Sequence, residues 1–179
     1  TDVEAIKSKR SGDSEIYIHD GNIHAKGDVT VTNTKAYNTF FMGDGTITLN
    51  GTGNQTLTSS GVVGQGVLPS VVINKASGNL TLSGLISAGG DWTFTSMGSG
   101  TLVTTGSTVA FVGGNPNNSA IAGSHTLNKV TFDSESGAMI YAIGAGTTIT
   151  VNGDLVMNGT NGFAINTGTL DVKGNITAT

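Results

Sequence analysis

The stretch ITVNGDLVMNGTNGFAINTGTLDVKGNITA, residues 149–178, returns a pair of apolar residues every six to eight positions, with Gly or Asn in between. Side chains alternate along an extended backbone, so Ile149/Val151, Leu155/Met157, Phe163/Ile165, Leu170/Val172 and Ile176/Ala178 each present one apolar face of a short strand. Three such strands with their corners fill about 21 residues, and that spacing recurs. Val109 and Phe111 reappear as Val130 and Phe132, and Ile149 and Val151 as Leu170 and Val172.

Internal repeats of this kind come before any other reading of a chain. KGDVTV at 26–31, GGDWTF at 89–94, NGDLVM at 152–157 and KGNITA at 173–178 share Gly, then Asp or Asn, then two apolar residues around a spacer. Gly27, Gly90 and Gly153 stand 63 apart and Gly153 to Gly174 is 21, so 63 reads as three units. A coarser copy relates GTITLNGTGNQTLTSSG at 45–61 to STVAFVGGNPNNSAIAG at 107–123, each followed by an apolar strand, VVI at 71–73 and VTF at 130–132. A chain closing on itself with this period stacks each strand in parallel on the strand one coil later, about 4.8 Å away. The spacing therefore predicts an all-β fold, a right-handed parallel β-helix, that is, a three-sided β-solenoid of about 21 residues per coil. Twenty-eight glycines and two prolines suit it, because corners need residues tolerant of positive φ and interior strands donate on both sides. A β-sandwich is the alternative, but it does not predict the 21 and 63 registers. The register places Leu155 directly under Ile176 and predicts that Leu155, Leu170 and Ile176 are buried.

Residues 1–25 depart from the repeat, and we expect them to form an N-terminal cap or docking segment ahead of a solenoid domain over 26–179. Thr1 and Glu4 form a candidate capping box, with Val3 and Ile6 on one side of a short helix. EIYIHDGNIHAKGD then reads as strand, Asp-Gly turn, strand, offering Ile16, Ile18 and Ile23 to complete a coil.

Charge is concentrated at this end. Eleven of the twenty Asp, Glu, Lys and Arg residues fall within 1–35. The remaining surface must be built from Thr, Ser, Asn and Gly, a composition common in secreted β-rich proteins. After Lys35 only Lys75, Lys129 and Lys173 remain, too few for a phosphate-binding face, so no nucleic-acid partner is expected. No run of apolar residues is long enough for a membrane helix, and no cysteine supplies a disulfide, thiolate or metal ligand. The chain opens at Thr1 without a methionine, which leads us to expect a processed or trimmed region.

Four groups of residues invite chemistry. His19 and His24 bracket Asp20, but they sit around a turn, and solvated hairpin histidines are the favoured reading. His125 in GSHTLN reads as a loop residue. Asp133 and Glu135 in DSESG offer hard oxygen ligands for calcium, although an exposed polar corner explains them as well. Asp91, Asp154 and Asp171 lie at or beside corners, and the only arginine, Arg10, lies outside the repeats; turn formation accounts for these acids, so no catalytic residue, metal or cofactor is assigned and no enzymatic activity is expected. Thr-x-Thr segments begin at Thr30, Thr32, Thr46, Thr56, Thr93, Thr148, Thr167 and Thr177, with no two starts 21 apart, so no threonine ladder of the ice-matching kind is expected. Asn-x-Ser/Thr sequons at Asn50, Asn54, Asn79, Asn117, Asn158 and Asn175 are what an Asn/Thr/Gly-rich chain produces by chance.

GNQTL at 53–57, GGDWTF, STVAFVGG at 107–114, TLNKVTF at 126–132 and TTITVNGDLVM at 147–157 resemble phrases repeated in large secreted surface proteins of bacteria and archaea, with autotransporter and haemagglutinin-type adhesins having similar solenoid stalks. The resemblance spans roughly residues 44–179, with Gln55 at the Gln of the Gly-x-Gln-Thr-Leu phrase and His125 in its place in the second copy. It implies an extracellular, cell-surface location and carries no catalytic residues. The expected function is a non-catalytic structural or adhesive module of a cell-surface or filament-forming protein; the alternative is a phage tail fibre or spike domain binding surface polysaccharide. A trimeric spike needs an apolar outward stripe, whereas Thr93, Thr131, Thr150 and Thr177 are polar. For a glycan, Trp92 and Tyr141 are the residues able to stack on sugars, although the inward position of Trp92 favours the core. The final LDVKGNITAT supplies part of a coil, which leads us to expect an uncovered edge and head-to-tail self-assembly.

Overall fold

Short segments of alternating polarity bounded by Gly, Asn and Asp can bury their apolar face only by stacking on one another. The structure, a computed structural model, describes residues 2–3, 6–8, 21–32, 45–113, 118–134, 139–159 and 163–179. Among them every regular element is a strand and every strand pairing is parallel. The chain is a β-solenoid with about 24 residues per turn, and the β-sandwich alternative, which is antiparallel, is excluded.

Three sheets form the sides. The first has eight strands in the order β1 (Asp2–Val3), β3 (Asn22–Ala25), β5 (Thr46–Leu49), β7 (Ser70–Asn74), β9 (Trp92–Ser96), β12 (Asn118–Ala122), β15 (Met139–Ile143) and β18 (Phe163–Asn166). The second runs β2 (Ile6–Ser8), β4 (Val29–Val31), β6 (Gln55–Ser60), β8 (Leu80–Ala88), β11 (Thr108–Phe111), β14 (Lys129–Asp133), β17 (Leu155–Asn158) and β20 (Ile176–Ala178), with β10 (Leu102–Val103) also on β8. The third holds β13 (His125–Leu127), β16 (Thr148–Val151) and β19 (Thr169–Val172). The long strand β8 changes partner along its length: Leu80 and Thr81 pair with β10, and Leu85 to Ala88 with β11. Between them Gly84 takes φ 75°, and a Cβ there would collide with the Ser59 carbonyl oxygen, so both its conformation and its close approach require glycine.

Inward positions stack into continuous columns. Ile23, Ile47, Val71, Trp92, Ile121 and Ile143 follow one another on the first side. Ile86, Val109, Val130, Leu155 and Ile176 do so on the second. Each fully buried aliphatic or aromatic side chain in such a column contributes about 1.5–3 kcal/mol. An aromatic stack runs through the middle: Phe111 lies 5.3 Å from Phe132, and Phe132 lies 4.8 Å from Tyr141.

Several registers are as the sequence predicts. Val109 pairs with Val130, Ile149 with Leu170, and Leu155 with Ile176, each 21 residues on. The period is not uniform, however. Thr46 pairs with Ser70, 24 residues on, Gln55 with Leu80, 25 on, and Trp92 with Ile121, 29 on. Corner length varies from turn to turn, and the 63-residue register fails for that reason. The KGDVTV and NGDLVM strands, β4 and β17, lie in the second sheet, while the GGDWTF strand, β9, lies in the first. The coarser copy fails likewise, since β5 and β11 occupy different sides. Glycine, acid and two apolar residues specify a corner followed by a strand, whichever side that strand joins.

Two further expectations are corrected. The start is not helical: Asp2–Val3 and Ile6–Ser8 are strands paired with β3 and β4. Thr1 and Glu4, the expected capping box, lie outside the described residues. Asn22–Ala25 is likewise held between β1 and β5, and the first half of the expected hairpin, with Ile16 and Ile18, lies outside the described residues. Leu155 is 3 % exposed, as expected, but Leu170 is only partly buried and Ile176 is 60 % exposed, because the turn holding them is stacked on one side alone.

Candidate functional site

Three corner carboxylates accept hydrogen bonds from backbone amides. Asp28 Oδ1 accepts a hydrogen bond from the Thr56 amide at 2.7 Å, Asp91 Oδ1 from the Ala120 amide at 2.8 Å, and Asp154 Oδ1 from the Asn175 amide at 3.1 Å. Each acid thus caps an amide of the following turn. Amides do the same work at another corner, where Asn54 Oδ1 accepts from the Asn79 amide and Asn79 Oδ1 from the Thr101 amide, both at 3.0 Å. The Asn175 amide holds the Asp154 carboxyl below the ordinary carboxylate value, aided by the Lys129 ammonium 3.6 Å away. Asp171 is exposed and pairs with Lys173 at 2.6 Å. Asp91 borders the first sheet and Asp154 the second, so these two acids do not face each other along one side.

The proposed metal ligands are dispersed. His24 Nδ1 is 3.0 Å from Asn50 Nδ2, which donates to it. Asp133 is buried, and its Oδ2 accepts from Asn158 Nδ2 at 3.0 Å. His19, Asp20 and Glu135 lie outside the described residues, and among those described no three His, Asp or Glu side chains converge.

Two buried polar clusters replace the surface sites that the sequence suggested. The first is centred on Lys75, whose Nζ donates to the carbonyls of Gly51 at 2.5 Å and Gly53 at 3.0 Å and to Gln55 Oε1 at 2.7 Å. Gln55 in turn accepts from the Gly51 amide at 2.9 Å and donates to the carbonyls of Ala25 and Gly27 at 3.0 and 2.6 Å. Burial pulls the Lys75 pKa down from 10.5, while three acceptors match the three ammonium protons. Three successive turns are thereby pinned at one corner.

The second cluster overturns the reading of His125 as a loop residue. It is an inward residue of β13, buried, and accepts from Trp92 Nε1 at its Nε2, 3.1 Å away. Its Nδ1 lies 2.7 Å from the Gly123 carbonyl and its ring stacks on Phe94, centroids 5.1 Å apart. Trp92 and Tyr141 are both 0 % exposed, and the Tyr141 hydroxyl donates to the Phe111 and Asp133 carbonyls. Neither ring can stack on a sugar. The signal for His125 was in the sequence: it stands where the repeated phrase has Gln55, and both turn out to be buried polar residues two positions before a buried Leu.

The hydroxyl rows also depend on the true register. Steps other than 21 place Thr30 beside Thr58 and Ser83, and Thr56 beside Thr81, on the outer side of β4, β6 and β8. The next partner of Thr81 is Val103, where that row ends. Among the sequons, Asn54, Asn79 and Asn175 are exposed, whereas the Asn50 and Asn158 side chains are engaged with His24 and Asp133. Comparison of the chain with protein-family models, with curated proteins and with solved structures gives no match.

Proposed function

We propose that the chain is a non-catalytic, extracellular structural or adhesive module of a cell-surface or filament-forming protein. The observation that carries this reading is the use of Asp28, Asp91 and Asp154 to cap amides of the following turn, which engages these three acids in stacking rather than as an acid–base pair. The nature of the surface supports it. Between residues 45 and 113 the only charged side chains are Lys75, which is buried, and Asp91. A long, rigid, nearly uncharged body is suited to spacing and contact rather than to capturing ions. Head-to-tail self-assembly of such modules is part of this proposal. Incubation with a broad panel of polysaccharides should release no reducing ends; release abolished by replacing one of these acids would overturn the reading.

One observation favours the spike alternative. Outward positions of β12, β15 and β18 include Ala120, Ala142, Ala164 and Ile140, the last 40 % exposed, although the row of Ala120 and Ala142 ends at Asn166. Light scattering separates the readings. Filament modules give a mass that climbs with concentration, a spike gives a fixed trimer, and a trimer lost in Ile140→Lys would favour the spike.

A further inference from the structure

The hydrogen bonds around His125 leave only one protonation state compatible with the fold. The Gly123 carbonyl can only accept, so Nδ1 carries the proton; the Trp92 indole N–H can only donate, so Nε2 is bare. A second proton would set N–H against N–H in a buried site. Among the described residues no carboxylate is bonded to the ring, and Asp91, which precedes Trp92, accepts from the Ala120 amide. Trp92 and Phe94 come from β9 and Ile149 from β16, and neither strand has an ionisable side chain; β12, which leads into Gly123, has none either. On the adjoining β14, Lys129 reaches Asp154, and Asp133 is bonded by Asn158; on β15, Tyr141 is bonded to Phe111. Phe94 offers a ring face to an imidazolium but no negative charge. Gly123 also donates from its amide to Thr147 Oγ1 at 3.2 Å, so the chain of bonds runs from the turn of Trp92 through His125 to the turn of Thr147.

We propose that Trp92, His125 and the Gly123 carbonyl form an acid-sensitive latch: protonation of His125 expels the indole N–H, opens the corner at Gly123, and loosens the middle turns reversibly in acid. Burial lowers the His125 pKa, the Gly123 bond opposing it, so the latch stays closed at neutral pH and the stability it confers falls away below about pH 6.5, toward the lowered folded value.

Trp92 is the only tryptophan, so its fluorescence reports on the latch directly. Titration from about pH 8 to about pH 4.5, across the histidine range, should show a reversible red shift. His125→Gln, which keeps an acceptor for Trp92 and a donor for Gly123, should abolish it, while His24→Gln should leave it in place. A flat wild-type titration, or a shift that persists in His125→Gln, overturns the proposal. Should His125→Gln fail to fold, proton NMR of the wild type decides. One of the three histidine Cε1–H signals should move in step with the indole N–H signal, and their independence would equally overturn it.

Discussion

The turns built on β5 to β8 and those built on β13 to β20 stack by the same ladders but close their corners differently. In the first region the corners 50–54 and 75–79 are five residues long, and Gly51 and Gly53 turn carbonyls toward the interior, where Lys75 meets them, while the Gly51 amide donates to Gln55. In the second, the corners 152–154 and 173–175 have three residues, and the columns above and below them are hydrocarbon: Ile149 on Leu170, Val151 on Val172, Leu155 on Ile176. The groups a corner turns inward decide what the interior beside it must contain. Three residues turn with their polar groups facing outward, and a dry column closes over them. The corner 50–54 folds two carbonyls inward, and a buried carbonyl without a donor is costly, so a polar plug becomes part of the core.

The dry region should respond most violently to a charge. Leu155→Asp places an uncompensated carboxylate under Ile176 and should cost more than about 5 kcal/mol, leaving little cooperative unfolding in a urea melt followed by circular dichroism. A variant melting within a few degrees of the parent would mean that this column is not the interior. Phe132→Ala, which removes the ring between Phe111 and Tyr141, should cost about 3–5 kcal/mol in the same melt. A loss under 1 kcal/mol would show that the aromatic stack is loosely packed, contrary to the continuous burial of its members.

Much of this division could be read in the sequence, and the rest was hidden for a physical reason. Val109 with Val130 and Leu155 with Ile176 were legible because adjacent turns there differ by 21 residues, so apolar pairs recur in phase. Gly27 with Gly90 was misread, because the 28 residues from Val29 to Leu57 and the 29 from Trp92 to Ile121 are set by corners whose length leaves no periodic trace. The corner aspartates were legible as turn formers, although their partners are amides 21 to 29 residues away. Lys75 looked like one of three scattered surface cations. Only the inward carbonyls of a stacked neighbour make it a plug, and no local pattern encodes them.

Lys75→Met tests the plug directly, because it keeps the length of the side chain and removes all three donors. The carbonyls of Gly51 and Gly53 lose their partner, and the expected cost is about 1–3 kcal/mol, measured by chemical denaturation at neutral pH. A stabilised variant would place those carbonyls in contact with water and erase the distinction between the two kinds of corner.

The smallest effect belongs to Asp154, which caps the three-residue corner 173–175 from outside. Its carboxyl is held below the ordinary 3.8 first by the Asn175 amide, with partial desolvation opposing and Lys129 assisting. A depressed folded pKa means that the contribution is complete at neutral pH, begins to fail as the pH approaches 3.8, and is gone below the lowered folded value. Asp154→Asn keeps an oxygen acceptor for the Asn175 amide and should lose only the acid limb of the stability profile. Asp154→Ala loses the cap and should melt lower at every pH. The Lys129 share separates by salt: at 3.6 Å between half-exposed groups it is screened, whereas the amide cap is not. Thermal melts of the parent and both variants from about pH 7 to about pH 3, in low and high salt, resolve these parts. If Asp154→Asn and Asp154→Ala melt alike at neutral pH, the corner closes without its outer cap, and short corners owe their stability to the hydrocarbon columns alone.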